Sequence, residues 1–422
     1  MKALVLVLIG VCGAGLFAQT AQTGTPGGTA ATPLAAMMEE AKKNNPEIRA
    51  SEHSYQAARH MPAAAGALPD TQITVQNLAV GSPKPLAGYT NNDFAFIGLG
   101  ASQELPWPGK RRLRAQAAGL QADAMHAETD AVVRRVIEEL KIAYYRLAYL
   151  QQTATILERD GKLLSDMEQI AESRYRVGQG NQQEVLKAQL QRTRLLQEIN
   201  TNRSEQAIEQ ARLKRLLGRA QESSDLAAEP LRERALPSDV TELFRQAGNQ
   251  DPEIEVRKIN AERTGKLVEL ARKEFRPDFG VQYMYQNTDR RFRDYYMATF
   301  TVSLPNRGRR RAELGQALEE EKAAAASVEV ESQARMAEVQ EQYETARLSS
   351  EQLKIYREGL MPQAEATFQS ARAAYQANRQ DFETLLSSFR DVLEIEQQYQ
   401  KELSEHESAL ARLESITGVT LP

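Results

Sequence analysis

One phrase of this chain occurs twice, half a sequence apart. Leu105-Pro106-Trp107-Pro108-Gly109-Lys110-Arg111-Arg112 returns as Leu304-Pro305-Asn306-Arg307-Gly308-Arg309-Arg310-Arg311, an offset of 304 − 105 = 199. Each copy follows a strand-like run and opens a very long helix-like run. One strand-plus-helix unit is therefore used twice, and a fold that ignores the repeat cannot be right. Later landmarks repeat at an offset of 200, pairing Tyr175 with Tyr375 and Gly218 with Gly418.

The long runs are rich in Ala, Gln, Glu, Arg and Leu, a bias that suits coiled coils better than thick-cored globules. In the first, Val133, Val136, Leu140, Ala143, Leu147, Leu150, Ala154, Leu157, Gly161 and Leu164 follow one another in steps of three and four. That is a heptad seam. The second run carries Met336, Val339, Tyr343, Ala346, Leu353 and Leu360. Long helices are expected over 108–177 and 306–377, the first about 105 Å long at about 1.5 Å per residue. Gly161 and Pro362 are read as bends. Return helices over 182–218 and 381–418 end at Gly218 and Gly418, as helices often do at glycine. A further helix, Leu34–His60, contains Asn45-Pro46-Glu47-Ile48, and its counterpart contains Asp251-Pro252-Glu253-Ile254; each reads as a helix start with Pro in the first turn.

Strand pairs are expected within 70–105 and 276–304. Phe279, Val281, Tyr283 and Tyr285 alternate with Gly280, Gln282, Met284 and Gln286; Tyr296, Ala298, Phe300, Val302 and Leu304 alternate with Met297, Thr299, Thr301 and Ser303. Period two with one apolar face gives a sheet between two environments. Each run has about the 9–11 residues that a tilted strand needs to cross a bilayer. Tyr283, Tyr285, Tyr295 and Tyr296 fit an outer aromatic girdle. Four strands cannot close a barrel, and open edges are not tolerated in lipid, so other copies must complete the sheet; three copies give twelve strands.

The amino terminus carries Lys2, an apolar run from Ala3 to Phe17 and small residues around Ala18. This is the layout of a secretory signal peptide, too short for a transmembrane anchor. Cleavage is expected after Ala18. The one cysteine, Cys12, follows Val11 where a lipoprotein cysteine would follow a small residue, so it is expected to leave with the signal, with lipidation as the alternative. The reading divides the chain into a signal peptide (1–18), a flexible leader (19–33), a first repeat (34–218), a linker (219–240) and a second repeat (241–422). The formal net charge of −4 gives no case for nucleic acid. His53, His60, His126 and His406 are scattered and the methionines form no cluster. No catalytic set, cofactor motif or metal site emerges, so no enzyme activity and no cofactor are expected.

The order of these features resembles the TolC-like outer-membrane efflux proteins: signal peptide, duplicated Asn/Asp-Pro-Glu helix, strand pair, Leu-Pro-x-x-Gly-Lys/Arg-Arg-Arg helix start, Tyr-x-x-Gly hairpin and terminal glycine. Pro108-Gly109-Lys110-Arg111-Arg112 is most similar to the heavy-metal branch that works with RND pumps. The resemblance implies a homotrimer: a twelve-stranded β-barrel in the outer membrane, continuous with a long α-helical coiled-coil barrel in the periplasm. It implies a passive exit duct for a tripartite efflux system, RND- or ABC-driven, or for type I secretion. The implied partners are a periplasmic adaptor (membrane fusion) protein, the inner-membrane pump and outer-membrane lipid. A soluble periplasmic coiled-coil adaptor or structural rod is the alternative; it would not carry four bilayer-length strands.

By the same resemblance, the two hairpins form the periplasmic tip, which meets the adaptor and narrows the duct. The residues carried over are Arg174, Tyr175, Gly178, Glu184 and Leu186 in the first hairpin, and Tyr375, Asn378, Asp381, Glu383 and Leu385 in the second. The family's acidic gate positions fall near Thr384 and Ser387, so Asp381 and Glu383 are the substitutes. The basic helix starts form the second candidate site: Trp107, Lys110, Arg111, Arg112 and Arg114, with Arg307, Arg309, Arg310 and Arg311 in the second copy. Cations there oppose the helix dipole by about 0.3–1 kcal/mol each. Either they face lipid phosphates at the inner leaflet, with Trp107 in the interfacial belt, or they form a solvated collar that pairs with neighbouring Glu. Arg290-Arg291-Phe292-Arg293 reads as an ordinary charged outer loop, with contact to lipopolysaccharide phosphate as the alternative.

Overall fold

A computed structural model describes residues 32–78, 95–237, 239–287 and 294–421. The signal segment with Cys12, nearly all of the leader and the Arg290–Arg293 loop lie outside the described residues.

The first half runs α1 (Leu34–Asn44), α2 (Pro46–Ala58), α3 (Met61–Gly66), β1 (Gln72–Leu78), β2 (Phe96–Leu105), α4 (Lys110–Arg176) and α5 (Gln182–Leu217). The second runs α6 (Val240–Gln250), α7 (Pro252–Lys273), β3 (Asp278–Asn287), β4 (Asp294–Ser303), α8 (Arg307–Ile355), a π-helical turn (Tyr356–Leu360), α9 (Met361–Gln376) and α10 (Phe382–Thr417).

The heptad seam of α4 is its core. Val136, Leu140, Leu147, Leu150, Leu157 and Leu164 are all completely or almost completely buried. In the upper half they meet Met37, Ala41 and Ile48 of α1 and α2 and Leu213, Leu216 and Leu217 of α5. Toward the tip they meet Ala188 and Leu195 of α5 and the apolar faces of α9 and α10.

The expected helix Leu34–His60 is two helices. Asn45 is extended (φ −62°, ψ 125°), and its side chain accepts from the Glu47 and Ile48 N–H groups at 2.8 and 3.2 Å while donating to the Leu216 carbonyl at 2.8 Å. Pro46 has no N–H to continue the α1 ladder, so the side chain restarts the helix instead. Asp251 does the same between α6 and α7.

The second long helix also differs from expectation, and the reason is arithmetical. Gly161 does not interrupt α4, because glycine keeps its N–H. Pro362 lacks one, and the π-helical turn stands immediately before it. A π turn spends one extra residue, so the seam downstream moves by one. Leu360, expected on it, is 38% exposed, and Phe368, Ala371 and Tyr375 are buried in its place. The sequence offset grows by the same single residue, from 199 at the Leu-Pro phrase to 200 at the tyrosines.

The four strands form one antiparallel sheet in the order β1-β2-β3-β4, so β1 and β4 are its edges. The register aligns Ile73, Ala101, Tyr283 and Ala298 in one row and Val75, Leu99, Tyr285 and Tyr296 in the next. One face is thus apolar and aromatic. The other carries Thr74, Gly100, Met284 and Met297, then Gln72, Ser102, Gln282 and Thr299. Tyr295 pairs with Gln286 on this second face, apart from the other three tyrosines, because adjacent residues of a strand point oppositely. On the apolar face Ile73, Val75, Leu99, Tyr283, Tyr296 and Phe300 are each more than half exposed.

Candidate functional site

Two clusters of side chains lie at opposite ends of α4. At the tip, each helical hairpin turns on one residue with positive φ, Gly178 (72°) and Asn378 (60°). Asn adopts this conformation more readily than other side chains. Asn181 and Asp381 then cap α5 and α10, accepting from the Gln183 N–H at 3.1 Å and the Thr384 N–H at 3.0 Å. The Asp381 carboxyl lies below its usual range because the Thr384 hydroxyl, at 2.6 Å, and that N–H both donate to it.

Arg174 ties the hairpins together. Its guanidinium donates to the Tyr375 carbonyl at 2.6 Å and to the Asn378 side-chain oxygen, and it lies 4.5 Å from the centre of the Tyr375 ring. The Tyr375 hydroxyl donates to Glu184 Oε2 at 2.8 Å, and Glu383 pairs with Lys187. Asp381 and Glu383, the substitutes for an acidic gate, are thus both engaged inside the protomer.

The two hairpins are unequal. Tyr175 and Leu186 are 47% and 56% exposed, whereas Tyr375 and Leu386 are 1% and 0% exposed. Leu385, carried over as a contact residue, is buried and belongs to the core. The cause is packing: α10 lies against α4, α8 and α9, while α5 packs mainly on α4 and leaves Leu186, Leu190, Leu196 and Ile208 uncovered.

Burial, reinforced by the Glu184 hydrogen bond, pushes the Tyr375 phenol up from its ordinary value. A group whose neutral form is favoured on folding contributes stability below its unfolded pKa, about 10 for Tyr. That contribution is lost as pH rises through the higher folded value. The tip should therefore loosen above about pH 10, seen as faster hydrogen exchange in 174–184 and 374–384, and Tyr375→Phe should blunt that alkaline step.

At the other end stands the strand-to-helix joint. Gly109 turns the chain with φ 93°. Lys110 then points inward and is 1% exposed. Its Nζ donates to Glu274 Oε2 at 3.0 Å, Asp278 Oδ2 at 2.9 Å and the Arg276 carbonyl at 3.1 Å. Arg114 and Arg310 reach Glu274 at 3.1 and 3.3 Å. Arg309 and Arg310 both pair with Glu313 at 2.7 Å, and Arg111 donates to the Gly66 carbonyl at 2.8 Å. The Trp107 N–H donates to Asp278 Oδ1 at 2.7 Å, and its ring lies 5.7 Å from Phe279. Lys110 therefore cannot face lipid, and the carboxylates beside it offset the unfavourable charge at the helix start. Arg112, Arg307, Arg309 and Arg311 are the exposed members of the collar. Sequence reasoning missed Glu274 and Asp278, which approach Lys110 from more than 160 residues away and carry no local motif.

Residues 37–219 and 243–419 match the sequence profile of the outer membrane efflux protein family. Similar solved structures include the outer membrane protein VceC of Vibrio cholerae, at 18% identity over 91% of this chain and 96% of that one, with a TM-score of 0.77. The Campylobacter jejuni outer membrane channel CmeC matches at 14% identity over 92% and 86%, with a TM-score of 0.78. The Neisseria gonorrhoeae outer membrane channel MtrE, in its open state, matches at 17% over 92% and 89%, with a TM-score of 0.76. Likeness at these identities is one of fold. No curated protein matches the chain by sequence.

Proposed function

Since the chain belongs to the outer membrane efflux protein family, a family of channels and not of enzymes, we propose that three copies assemble into the exit duct of a tripartite efflux system. In this reading each copy contributes four strands to a twelve-stranded outer-membrane barrel and its long helices to a periplasmic α-barrel. The carrying observation is the sheet. A long apolar face lies bare, and among the described residues the outer edges of β1 and β4 have no partner strand. Lipid accepts the first; a second copy must satisfy the second. The uncovered apolar residues of α5 support a neighbouring protomer along the helices as well.

The repeat supplies the expected joint between copies. Within the chain, Lys110 after β2 binds Asp278, which follows Pro277 and leads β3. One repeat later Arg309 stands after β4, and the exposed Asp70 follows Pro69 ahead of β1. When β4 pairs with β1 of the next copy, Arg309 meets Asp70 of the partner subunit. Wild-type protein extracted from outer membranes should run as a trimer on a native gel. Arg309→Asp should weaken that trimer and Asp70→Arg combined with it should restore it. A monomer in the soluble periplasmic fraction would overturn the duct.

At the tip the proposed roles are adaptor docking, through exposed Tyr175 and Leu186, and narrowing of the duct. Arg174 latches the two hairpins of one protomer. Arg174→Ala removes charge-assisted hydrogen bonds of about 1.5 kcal/mol each. With two such bonds lost, the expected readout in planar bilayers is roughly a hundredfold rise in open-channel population, as 1.4 kcal/mol is a factor of ten.

A further inference from the structure

The apolar face of the sheet ends in a column of rings. Phe300 is 64% exposed and stacks on Phe279 with ring centroids 5.7 Å apart, and Phe279 meets Trp107 at the same separation. Phe279 and Phe300 stand on the face that carries Ile73, Leu99 and Tyr283. Trp107 therefore extends that face down to the strand-to-helix joint. Two cations close the column. The Arg276 guanidinium lies 6.0 Å from the centre of the Trp107 ring. The Lys273 ammonium lies against Gly109, so close that a Cβ there would overlap its Nζ. Arg276 is exposed and Lys273 half-buried, and neither side chain has an ion pair or hydrogen bond among the described residues. That sets them apart from Lys110, Arg114 and Arg310, which take up the adjacent carboxylates of Glu274 and Asp278. The column is also particular to one repeat. Where Pro277 repeats Pro69, the counterpart of Arg276 is Leu68 and that of Lys273 is Ala65; the counterpart of Trp107 is Asn306.

We propose that this column is a docking surface for an anionic phospholipid of the leaflet nearest the helices. The lipid phosphate pairs with Lys273 and Arg276, and an acyl chain runs along Trp107, Phe279 and Phe300. Charge complementarity fixes the occupant. Two unpaired cations suit a headgroup of net negative charge, whereas they repel the ammonium of a zwitterionic one. The rings suit the chain, because aromatic side chains gather where headgroups give way to hydrocarbon. The inference rests on the apolar face meeting lipid, as proposed above. All five residues belong to one protomer.

Trp107 is the only tryptophan of the chain, so its fluorescence reports on this surface alone. Full-length protein is placed in phosphatidylcholine nanodiscs that contain brominated phosphatidylglycerol or, at equal mole fraction, brominated phosphatidylcholine. Bromine near the head of the acyl chain quenches tryptophan on contact. Wild type should select the phosphatidylglycerol at least about fivefold. Lys273→Gln combined with Arg276→Gln should abolish the selection. Excess inorganic phosphate at constant ionic strength should leave it unchanged. Equal quenching of wild type by the two lipids overturns the site and leaves the membrane placement standing; this comparison needs no variant to fold. Quenching by neither lipid overturns the membrane placement and the site with it. Selection that survives in the folded double variant, or that phosphate removes, overturns the phospholipid site.

Discussion

Lys110→Met should cost about 3–5 kcal/mol of stability, a large effect for a single residue in so long a chain. The substitution fits the volume but strands two carboxylates. Glu274 and Asp278 are 14% and 20% exposed, so solvent cannot replace the lost ammonium. Arg114 and Arg310 still reach Glu274, which sets the expectation toward the lower end; Asp278 keeps only the Trp107 N–H as a donor outside the lysine. Arg311→Met, on an exposed arginine of the same repeated phrase, should change stability by less than about 0.5 kcal/mol. Chemical denaturation followed by far-ultraviolet circular dichroism measures both. Equal losses in the two variants would mean that the buried cluster contributes nothing beyond the collar's general charge.

Gly218→Ala should be the next most damaging, by about 2–4 kcal/mol, and Gly418→Ala should cost about 1 kcal/mol. Both glycines end return helices with φ near 70°, so both variants carry the strain of a left-handed side chain. Their surroundings differ. A Cβ at Gly218 would stand 2.6 Å from the Asn44 carbonyl oxygen and 3.1 Å from its carbon, which are backbone atoms. Relieving that contact moves the end of α1 and with it Asn45, whose side chain restarts α2 and holds the Leu216 carbonyl. A Cβ at Gly418 meets the Arg134 guanidinium at 2.8 Å, the free end of a long side chain that can swing aside. The same denaturation series decides between them, and a Gly418→Ala loss as large as that of Gly218→Ala would refute the backbone-clash account.

Much of this architecture is legible in the residues alone. The heptad seam Val136–Leu164 and the alternation of Phe279–Tyr285 are periodic, and periodicity is a local property that a single sequence displays. The break at Asn45 is legible in part, since Asn-Pro-Glu marks a helix start; that a second helix ends there is not, because nothing local distinguishes a restart from a continuation. The tip can be located from Tyr-x-x-Gly and its echo. Its inequality cannot. Tyr175 and Tyr375 occupy matching positions, yet one is exposed and the other buried, because burial depends on which helix packs from the far side.

The sequence by itself determined the repeated phrase, the long helices and the two-faced strands. It also held, unread, the one-residue change of offset between the two halves. Tertiary structure alone decided where that residue goes, in the π-helical turn before Pro362, and with it the shifted seam and the buried Tyr375. It alone paired Lys110 with Glu274 and Asp278. The division is physical. Periodicity and turn chemistry act over a few residues and are written along the chain, whereas charge pairing and burial act across space, between residues that only the folded chain makes neighbours.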